Sequence, residues 1–79
     1  MIKELDQIVL KEDLPACGLL AGDIGTVVLI HRNGQGYEVE FVALDGETIA
    51  VVSLYADQVR QIKEREIARV RAVKLPLAA

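Results

Sequence analysis

At the centre of the sequence, apolar and acidic residues alternate strictly over the segment Tyr37-Glu38-Val39-Glu40-Phe41. Alternation with a period of two is typical of a strand that buries one face and exposes the other. Turn-forming pairs stand on both sides, Asn33-Gly34 before the segment and Asp45-Gly46 after it. Segments rich in β-branched residues lie beyond each turn, at 24–31 and 48–54, and such residues favour strands. The sequence therefore predicts three consecutive antiparallel strands joined by tight hairpins.

Shorter elements flank these three strands. A short apolar run at 7–10 predicts a first strand, which an irregular loop around Leu14-Pro15 follows. Residues 56–58 predict one helical turn, and residues 59–62 a short closing strand. This order of elements is typical of an SH3-like barrel, in which closure protects the strand edges of a small sheet. We therefore predict a mainly β fold, a small SH3-like barrel of about five strands.

The size of the chain allows one core. Its 79 residues are 52% hydrophobic, which suits a single domain. In the continuous apolar runs the sequence does not show which residues face inward, because a shift of the assignment by one residue exchanges the two faces of a strand. The expected core residues are Val9, Ile24, Thr26, Val28, Tyr37, Val39, Phe41, Ile49, Val51 and Val59.

The last residues, 63–79, differ from the rest in pattern. Their apolar residues fit neither a helical nor a strand period, although good helix formers at 64–69 favour a helix slightly. We predict a barrel domain at 1–62 and a basic C-terminal extension at 63–79, formed as a helix or an extra strand. The extension either frays or packs, on the barrel or on a second copy, where its basic residues meet the acidic body.

Charge is divided unevenly along the chain. Residues 1–57 carry three basic and ten acidic side chains, whereas residues 58–79 carry six basic and two acidic ones. The two parts have net charges of −7 and +4, within a total of −3. An acidic body repels phosphate groups, so it is a poor platform for nucleic acid unless the basic extension makes the contacts.

The residues that could serve in catalysis, metal binding or cofactor binding lack the partners that these functions need. His31 has no second histidine and no cysteine at metal-ligand spacing. Cys17 as a nucleophile would require a base such as His31, and Gly34 with Gly36 lacks the third glycine and helix of a dinucleotide loop. We therefore expect no enzyme, no metal site and no cofactor. His31 is expected at a strand end, and Cys17 in a structural role.

The cellular location of the protein is predicted from its cysteine content and from the targeting and membrane-spanning patterns that its sequence lacks. Cys17 is the only cysteine, so no disulfide forms within the chain, and a lone thiol is typical of a reducing compartment. Acidic residues interrupt the apolar ones in residues 1–10, unlike a secretory signal, and no segment has the length of a membrane span. We expect a soluble cytoplasmic protein.

Acidic side chains gather around the central hairpin. Four of them, Glu38, Glu40, Asp45 and Glu47, have the chemistry to bind a divalent cation or to form an acid–base pair. We favour a solvated acidic face, because nothing in the sequence fixes their geometry. The expected partner-binding residues are Glu38, Glu40, Asp45, Glu47 and Asp57. The expected contacts from the extension are Arg65, Arg69, Arg71 and Lys74.

Five short motifs occur in order along the chain. They are Asp13-Leu14-Pro15, Gly18-Leu19 with Gly22-Asp23-Ile24-Gly25-Thr26-Val27-Val28, Tyr37-Glu38-Val39-Glu40-Phe41, Asp45-Gly46-Glu47-Thr48 and Ala56-Asp57-Gln58-Val59-Arg60. Over residues 5–62 this order resembles the bacterial family known as domain of unknown function 4926. The resemblance implies a small, barrel-shaped bacterial or cyanobacterial protein whose family members sit beside a toxin-like partner. The second motif is also similar to turns in ribosome-associated and nitrile hydratase β-subunit barrels, and therefore bears on fold alone.

Two functions are compatible with these observations. In the first, the chain is a protein-binding module whose acidic face covers a basic, toxin-like partner, as an antitoxin or immunity protein does. In the second, it is a nucleic-acid or ribosome-associated barrel that binds through its basic extension. Its aromatic residues are only Tyr37, Phe41 and Tyr55, and alternation buries the first two, which counts against base stacking. A homo-oligomer through residues 63–79 is a further expectation.

Overall fold

The computed structural model describes residues 1–74. The strands are β1 (Gln7–Leu10), β2 (Ile24–His31), β3 (Gly36–Val42), β4 (Thr48–Tyr55) and β5 (Val59–Gln61), with 3₁₀ turns at Pro15–Cys17 and Ala56–Gln58. They form one antiparallel sheet in the order β4-β3-β2-β1-β5. The predicted mainly β fold, its five strands and its late helical turn are confirmed, whereas closure into an SH3-like barrel stays a prediction. Within residues 1–74, no helix has the length and apolarity needed to cross a membrane.

Two tight turns connect the central strands as predicted. In the β2–β3 turn Arg32, Asn33 and Gly34 have positive φ angles of 46°, 58° and 98°. The Gly34 N–H donates to the carbonyl of His31 at 3.0 Å. In the β3–β4 turn Gly46 has a φ of 94°, a conformation that glycine adopts without a Cβ clash. The Asn-Gly and Asp-Gly pairs thus set the order of the three strands.

The core lies on one face of the sheet and receives side chains from all five strands. Its buried members are Ile8, Leu10, Leu19, Val27, Tyr37, Val39, Phe41, Leu54 and Val59. Burial of Tyr37, Val39, Phe41 and Val59 confirms that part of the expected core. Val9 is also buried, as expected, but it alternates with Ile8 and Leu10 and therefore faces the other side of the sheet.

The predicted orientation of β2 is wrong by one residue. Its expected core residues were Ile24, Thr26 and Val28. In the structure Gly25 and Val27 are buried, whereas Val28 is 41% exposed. A register shift between Val27 and Leu29 in the pairing with β3 makes Val28 a bulge. Beyond it Ile30 packs against the core, so the strand changes phase in its middle.

Close packing at Gly25 explains the observed orientation. A Cβ atom there would lie 2.5 Å from Val39 Cγ1 and 2.9 Å from Phe41 Cε1. Because glycine has no side chain, two large side chains of β3 can reach the backbone of β2 at this point. Gly25 therefore has to face inward, and Val27 follows it on the same side.

The predicted orientation of β4 is also displaced by one residue. Its expected core residues were Ile49 and Val51. Instead Leu54 is buried, and Ala50 and Val52 pack against the core, while Val51 is 57% exposed. A second register shift near the start of this strand lets Ile49 reach the core as well. In both strands the apolar sequence does not show which face is inward, so the assignments of Val28 and Val51 to the core are wrong, whereas Ile49 contacts the core as expected.

The C-terminal extension is neither helix nor strand over residues 63–74, so both predicted forms are wrong for this range. Arg65 has a φ of 65°, which ends a helix at its expected start. Two ion pairs hold the segment on the sheet: Arg60 with Glu66 at 2.7 Å, and Arg71 with Asp23. The basic extension thus meets the acidic body, one of the arrangements expected. Residues 75–79 of the predicted extension lie outside the described residues.

Candidate binding face

The side of the sheet away from the core carries an ordered grid of side chains on β2, β3 and β4. Residues that lie directly opposite each other on neighbouring strands share a face, so the observed registers define three rows. The rows are His31, Gly36 and Tyr55; Leu29, Glu38 and Ser53; and Thr26, Glu40 and Val51. We call these nine residues the outer face.

Glu38 lies in the middle row of the outer face and is held from both sides. Its Oε2 accepts hydrogen bonds from Ser53 Oγ at 2.5 Å and from His31 Nε2 at 2.7 Å. These bonds, that of Ser53 first, lower the pKa of the Glu38 carboxyl below its ordinary value. Glu38 is therefore a negative charge in a fixed position at neutral and mildly acidic pH.

The order of groups around Glu38 differs from that of a catalytic triad. In a triad the histidine lies between the serine and the acid, so that it can remove the serine proton. Here the acid lies between Ser53 and His31 and bonds to both. The arrangement fixes a carboxylate rather than activating a hydroxyl, and such a carboxylate can bind a cationic group.

Glu40 is held in a similar way in the next row. Thr48 Oγ1 donates a hydrogen bond to Glu40 Oε2 at 2.9 Å. Asp45 and Glu47 lie beyond this row in the β3–β4 turn, where the Glu47 N–H donates to Asp45 Oδ1 at 3.0 Å. Both acids of the turn are exposed. The turn therefore extends the negative charge of the outer face at its Glu40 end.

Asp57 is separated from the other four predicted binding residues. It lies in the 3₁₀ turn after β4, at the end of the hairpin opposite to Asp45 and Glu47. β3 is seven residues long, and a strand rises about 3.4 Å per residue, so the two ends are about 20 Å apart. The structure brings Glu38 and Glu40 together, and places the remaining acids at the two ends of the hairpin.

Exposed apolar side chains surround the two held carboxylates. Leu29 is 45% exposed, Val51 57% and Tyr55 75%. Tyr55 also lines a shallow depression of about 470 Å³ together with His31 and Glu38. Exposed leucine, valine and tyrosine side chains beside oriented polar groups are typical of surfaces that contact other proteins.

The residues that hold the carboxylates were not predicted from the sequence. Ser53 and Thr48 were not candidates, and the acids of β3 were expected to be solvated with nothing to fix them. His31 does lie at the end of β2, as expected, but its contact with Glu38 was not foreseen. The signal for these contacts is the pairing register, which sets Ser53 opposite Glu38. The predicted phase of β4 turns Ser53 toward the core, and this contact with Glu38 is then absent.

Other features that could take part in catalysis or ligand binding lie outside the outer face. Cys17 is half-buried in its 3₁₀ turn and packs against the core. A larger open depression, of about 760 Å³, has Ile2, Ile30 and Arg60 among its lining residues. In the part of the chain that the structure describes, no three His, Cys, Asp or Glu side chains are grouped as metal ligands would be.

The basic residues of the extension have different environments. Arg71 donates hydrogen bonds to Asp23 and to the carbonyl of Gly18, the latter at 3.1 Å, and the Asp23 contact raises the pKa of Arg71. Near the start of the extension the pair with Arg60 lowers the pKa of Glu66 to about 2. The three other predicted contacts, Arg65, Arg69 and Lys74, are exposed. Arg71 thus serves an internal contact in this structure.

Comparison with known proteins identifies the family of the chain. A protein-family model described as a domain of unknown function (DUF4926) matches residues 4–61, a range that contains all five strands and the outer face. No curated protein matches the chain. No solved structure matches it either. Because the matched residues make up more than half of the sequence, the chain belongs to the DUF4926 family.

Proposed function

We propose that this chain is a non-catalytic protein-binding module of the bacterial cytoplasm, and that its outer face covers a basic surface of a partner protein, as an antitoxin or immunity protein does. One observation carries the proposal: Glu38 and Glu40 are held by hydroxyl and imidazole groups on an exposed face. Charges that are already in position bind a complementary surface without an ordering cost.

The apolar residues of the outer face support a protein partner over a free cation. Leu29 lies beside Glu38, and Val51 beside Glu40. A partner that covers the carboxylates also buries these side chains and Tyr55, and tyrosine is a frequent hot-spot residue. Exclusion of water around the carboxylates strengthens their attraction to lysine or arginine side chains of the partner.

The charge distribution supports a basic partner over nucleic acid. Residues 1–57, which include the whole outer face, have a net charge of −7, and this charge speeds the encounter with a basic protein and repels phosphates. Nucleic acid would therefore have to bind to the basic extension. One of its four expected contacts, Arg71, is already paired with Asp23, so we favour the protein partner.

The proposal is tested by capture from bacterial extract with three forms of the tagged full-length chain. These are the wild type, the outer-face variant Glu38→Lys/Glu40→Lys, and the control variant Glu4→Lys/Glu64→Lys, whose acids are exposed and are not among the nine residues of the outer face. Both variants change the net charge from −3 to +1. Washing at about 0.1 M and about 1 M salt shortens the Debye length from about 10 Å to about 3 Å. Captured proteins and RNA are both identified.

We expect a basic protein to be captured by the wild type and the control, and to be lost from the outer-face variant and at high salt. With that partner purified, the affinity of the outer-face variant should be lower by about 100-fold or more. Circular dichroism establishes that the variant is folded. Equal capture by all three forms would contradict the proposal. RNA that is captured by the wild type and lost from Arg65→Glu/Arg69→Glu would favour the nucleic-acid alternative.

A further inference from the structure

The two edges of the sheet differ sharply in sequence. The strand order leaves β4 and β5 each paired on one side only within residues 1–74. β5 is three residues long and contains Arg60, and both properties discourage pairing with another chain. β4 is eight residues long, reads Thr-Ile-Ala-Val-Val-Ser-Leu-Tyr, and has neither a charge nor a proline. A long, uncharged, β-branched edge of this kind readily pairs with a further strand.

The β3–β4 pairing identifies the backbone groups that face the open edge. The Ala56 N–H donates to the Gln35 carbonyl at 3.1 Å, in line with the ladder. Hydrogen-bonded pairs recur at every second residue of an antiparallel ladder, so the even-numbered residues of β4 bond to β3. The N–H and C=O groups of Val51 and Ser53 therefore point away from β3. Within residues 1–74 they have no hydrogen-bond partner.

The C-terminal end of this open edge is already closed. The Tyr55 N–H points in the same direction, but it donates to Gln58 Oε1 at 2.7 Å. The two N–H and two C=O groups of Val51 and Ser53 remain. If β4 pairs with β4 of a second copy, one register uses these four groups and does not need the Tyr55 N–H. In this register Val51 lies opposite Ser53 of the second copy, and Ser53 lies opposite its Val51. Such a register is symmetric about Val52.

We propose that β4 pairs antiparallel with β4 of a second copy of this chain, around a two-fold axis at Val52. Because the eight residues of β4 are uncharged, no like charges meet across the axis. On the outer side, Val51 of each copy lies diagonal to Tyr55 of the other, within reach of an aromatic side chain. The pairing thus covers side chains that are 57% and 75% exposed in one copy.

The two-fold arrangement closes on itself. Each copy uses its long open edge, and the ends of the ten-stranded sheet are then two short β5 strands that each carry Arg60. An isologous contact of this kind gives a dimer rather than a fibre. The outer faces of the two copies lie side by side, and Glu38 and Glu40 lie on β3, one strand away from the contact. The pairing therefore leaves both carboxylates accessible to the proposed basic partner.

Light scattering of the full-length chain tests the proposal. Between about 10 µM and about 1 mM, where small interfaces associate, we expect the mass to rise from 8.6 kDa to twice that value. Ser53→Pro removes an outward N–H that takes no part in the β3–β4 ladder, and should keep the monomer mass and the strand signal in circular dichroism. Ile67→Pro alters a 94% exposed residue of the extension and should dimerise as the wild type does.

Three outcomes of this experiment would overturn the proposal. They are a wild type that stays at 8.6 kDa throughout, a folded Ser53→Pro that dimerises normally, and loss of the dimer in Ile67→Pro, which would assign the contact to the extension.

A crosslink tests the register even if the proline variant fails to fold. Across a non-hydrogen-bonded pair the Cα atoms are about 4.5 Å apart, inside the range of about 4.4–6.8 Å that a disulfide spans. With Cys17→Ala removing the single native cysteine, oxidised Val52→Cys should form a covalent dimer. Val42→Cys, on β3 between two strands and 45% exposed, should not. No crosslink at residue 52, or equal crosslinking at both positions, would overturn the proposal.

Discussion

Alanine at Val27 or at Val28 removes the same two methyl groups from neighbouring residues of β2, yet the structure predicts very different losses of stability. Val27 is fully buried in the core, with 0% exposure, whereas Val28 is 41% exposed at the bulge. The sequence around them is a continuous apolar run, so its pattern does not distinguish the two positions. The pair of variants therefore measures the orientation of the strand directly.

The expected loss at Val27 has two parts. Two buried methyl groups contribute about 1.6 kcal/mol to the free energy of unfolding, at about 0.8 kcal/mol per buried carbon. The cavity that remains beneath the sheet adds about 1 kcal/mol, so the total is about 2.5 kcal/mol. At Val28 water already reaches the side chain and no closed cavity forms, so the loss should stay below about 1 kcal/mol.

Urea unfolding followed by circular dichroism measures both losses, and an unchanged m-value shows that the unfolded states are comparable. For a domain of this size Val27→Ala should lower the melting temperature by about 10–20 °C. Equal losses, or a larger loss at Val28, would refute the orientation of β2. They would also refute the row of the outer face that contains Leu29, because the bulge at Val28 sets its register with β3.

The same orientation makes Gly25 intolerant of a side chain: Gly25→Ala should cost about 2–3 kcal/mol of unfolding free energy, because its Cβ would lie 2.5 Å from Val39 Cγ1. A cost below about 0.5 kcal/mol in urea would contradict that contact. An NMR titration should find the pKa of Glu66 at about 2, and Arg60→Gln should raise it toward 4.5. Since folding lowers this pKa, the ion pair stabilises the docked extension fully above pH 4.5 and loses its effect as the pH falls to about 2. An unchanged pKa in Arg60→Gln would show that Arg60 does not hold Glu66.

The number and order of the strands were predictable because their signals are local. The alternation at 37–41 and the Asn-Gly and Asp-Gly pairs act within a few residues of the chain. The phase of β2 and β4 was not predictable, because both faces of these strands are apolar in sequence. What decides the phase is the bulge at Val28 and the approach of Phe41 to Gly25, and both depend on a neighbouring strand.

The candidate site was predictable only in part, for the same physical reason. The outward direction of Glu38 and Glu40 follows from alternation, but their partners are set by the register between strands. Ser53 is 15 residues away from Glu38 along the chain. In the extension, helix propensity is a weak local preference, and it yields to contacts such as Arg71 with Asp23, which are 48 residues apart.

The two glutamates of β3 run against the local preferences of the strand that contains them. Glutamate is depleted in strands relative to threonine or valine, and hydrogen-bonded charges on an open surface add little to stability. A chain that needed only a stable hairpin would therefore do better with β-branched residues at 38 and 40. Residues that depart from local rules concentrate at functional sites. In this chain the departure coincides with carboxylates that Ser53, His31 and Thr48 hold in position, which favours recognition of a basic surface over a structural role.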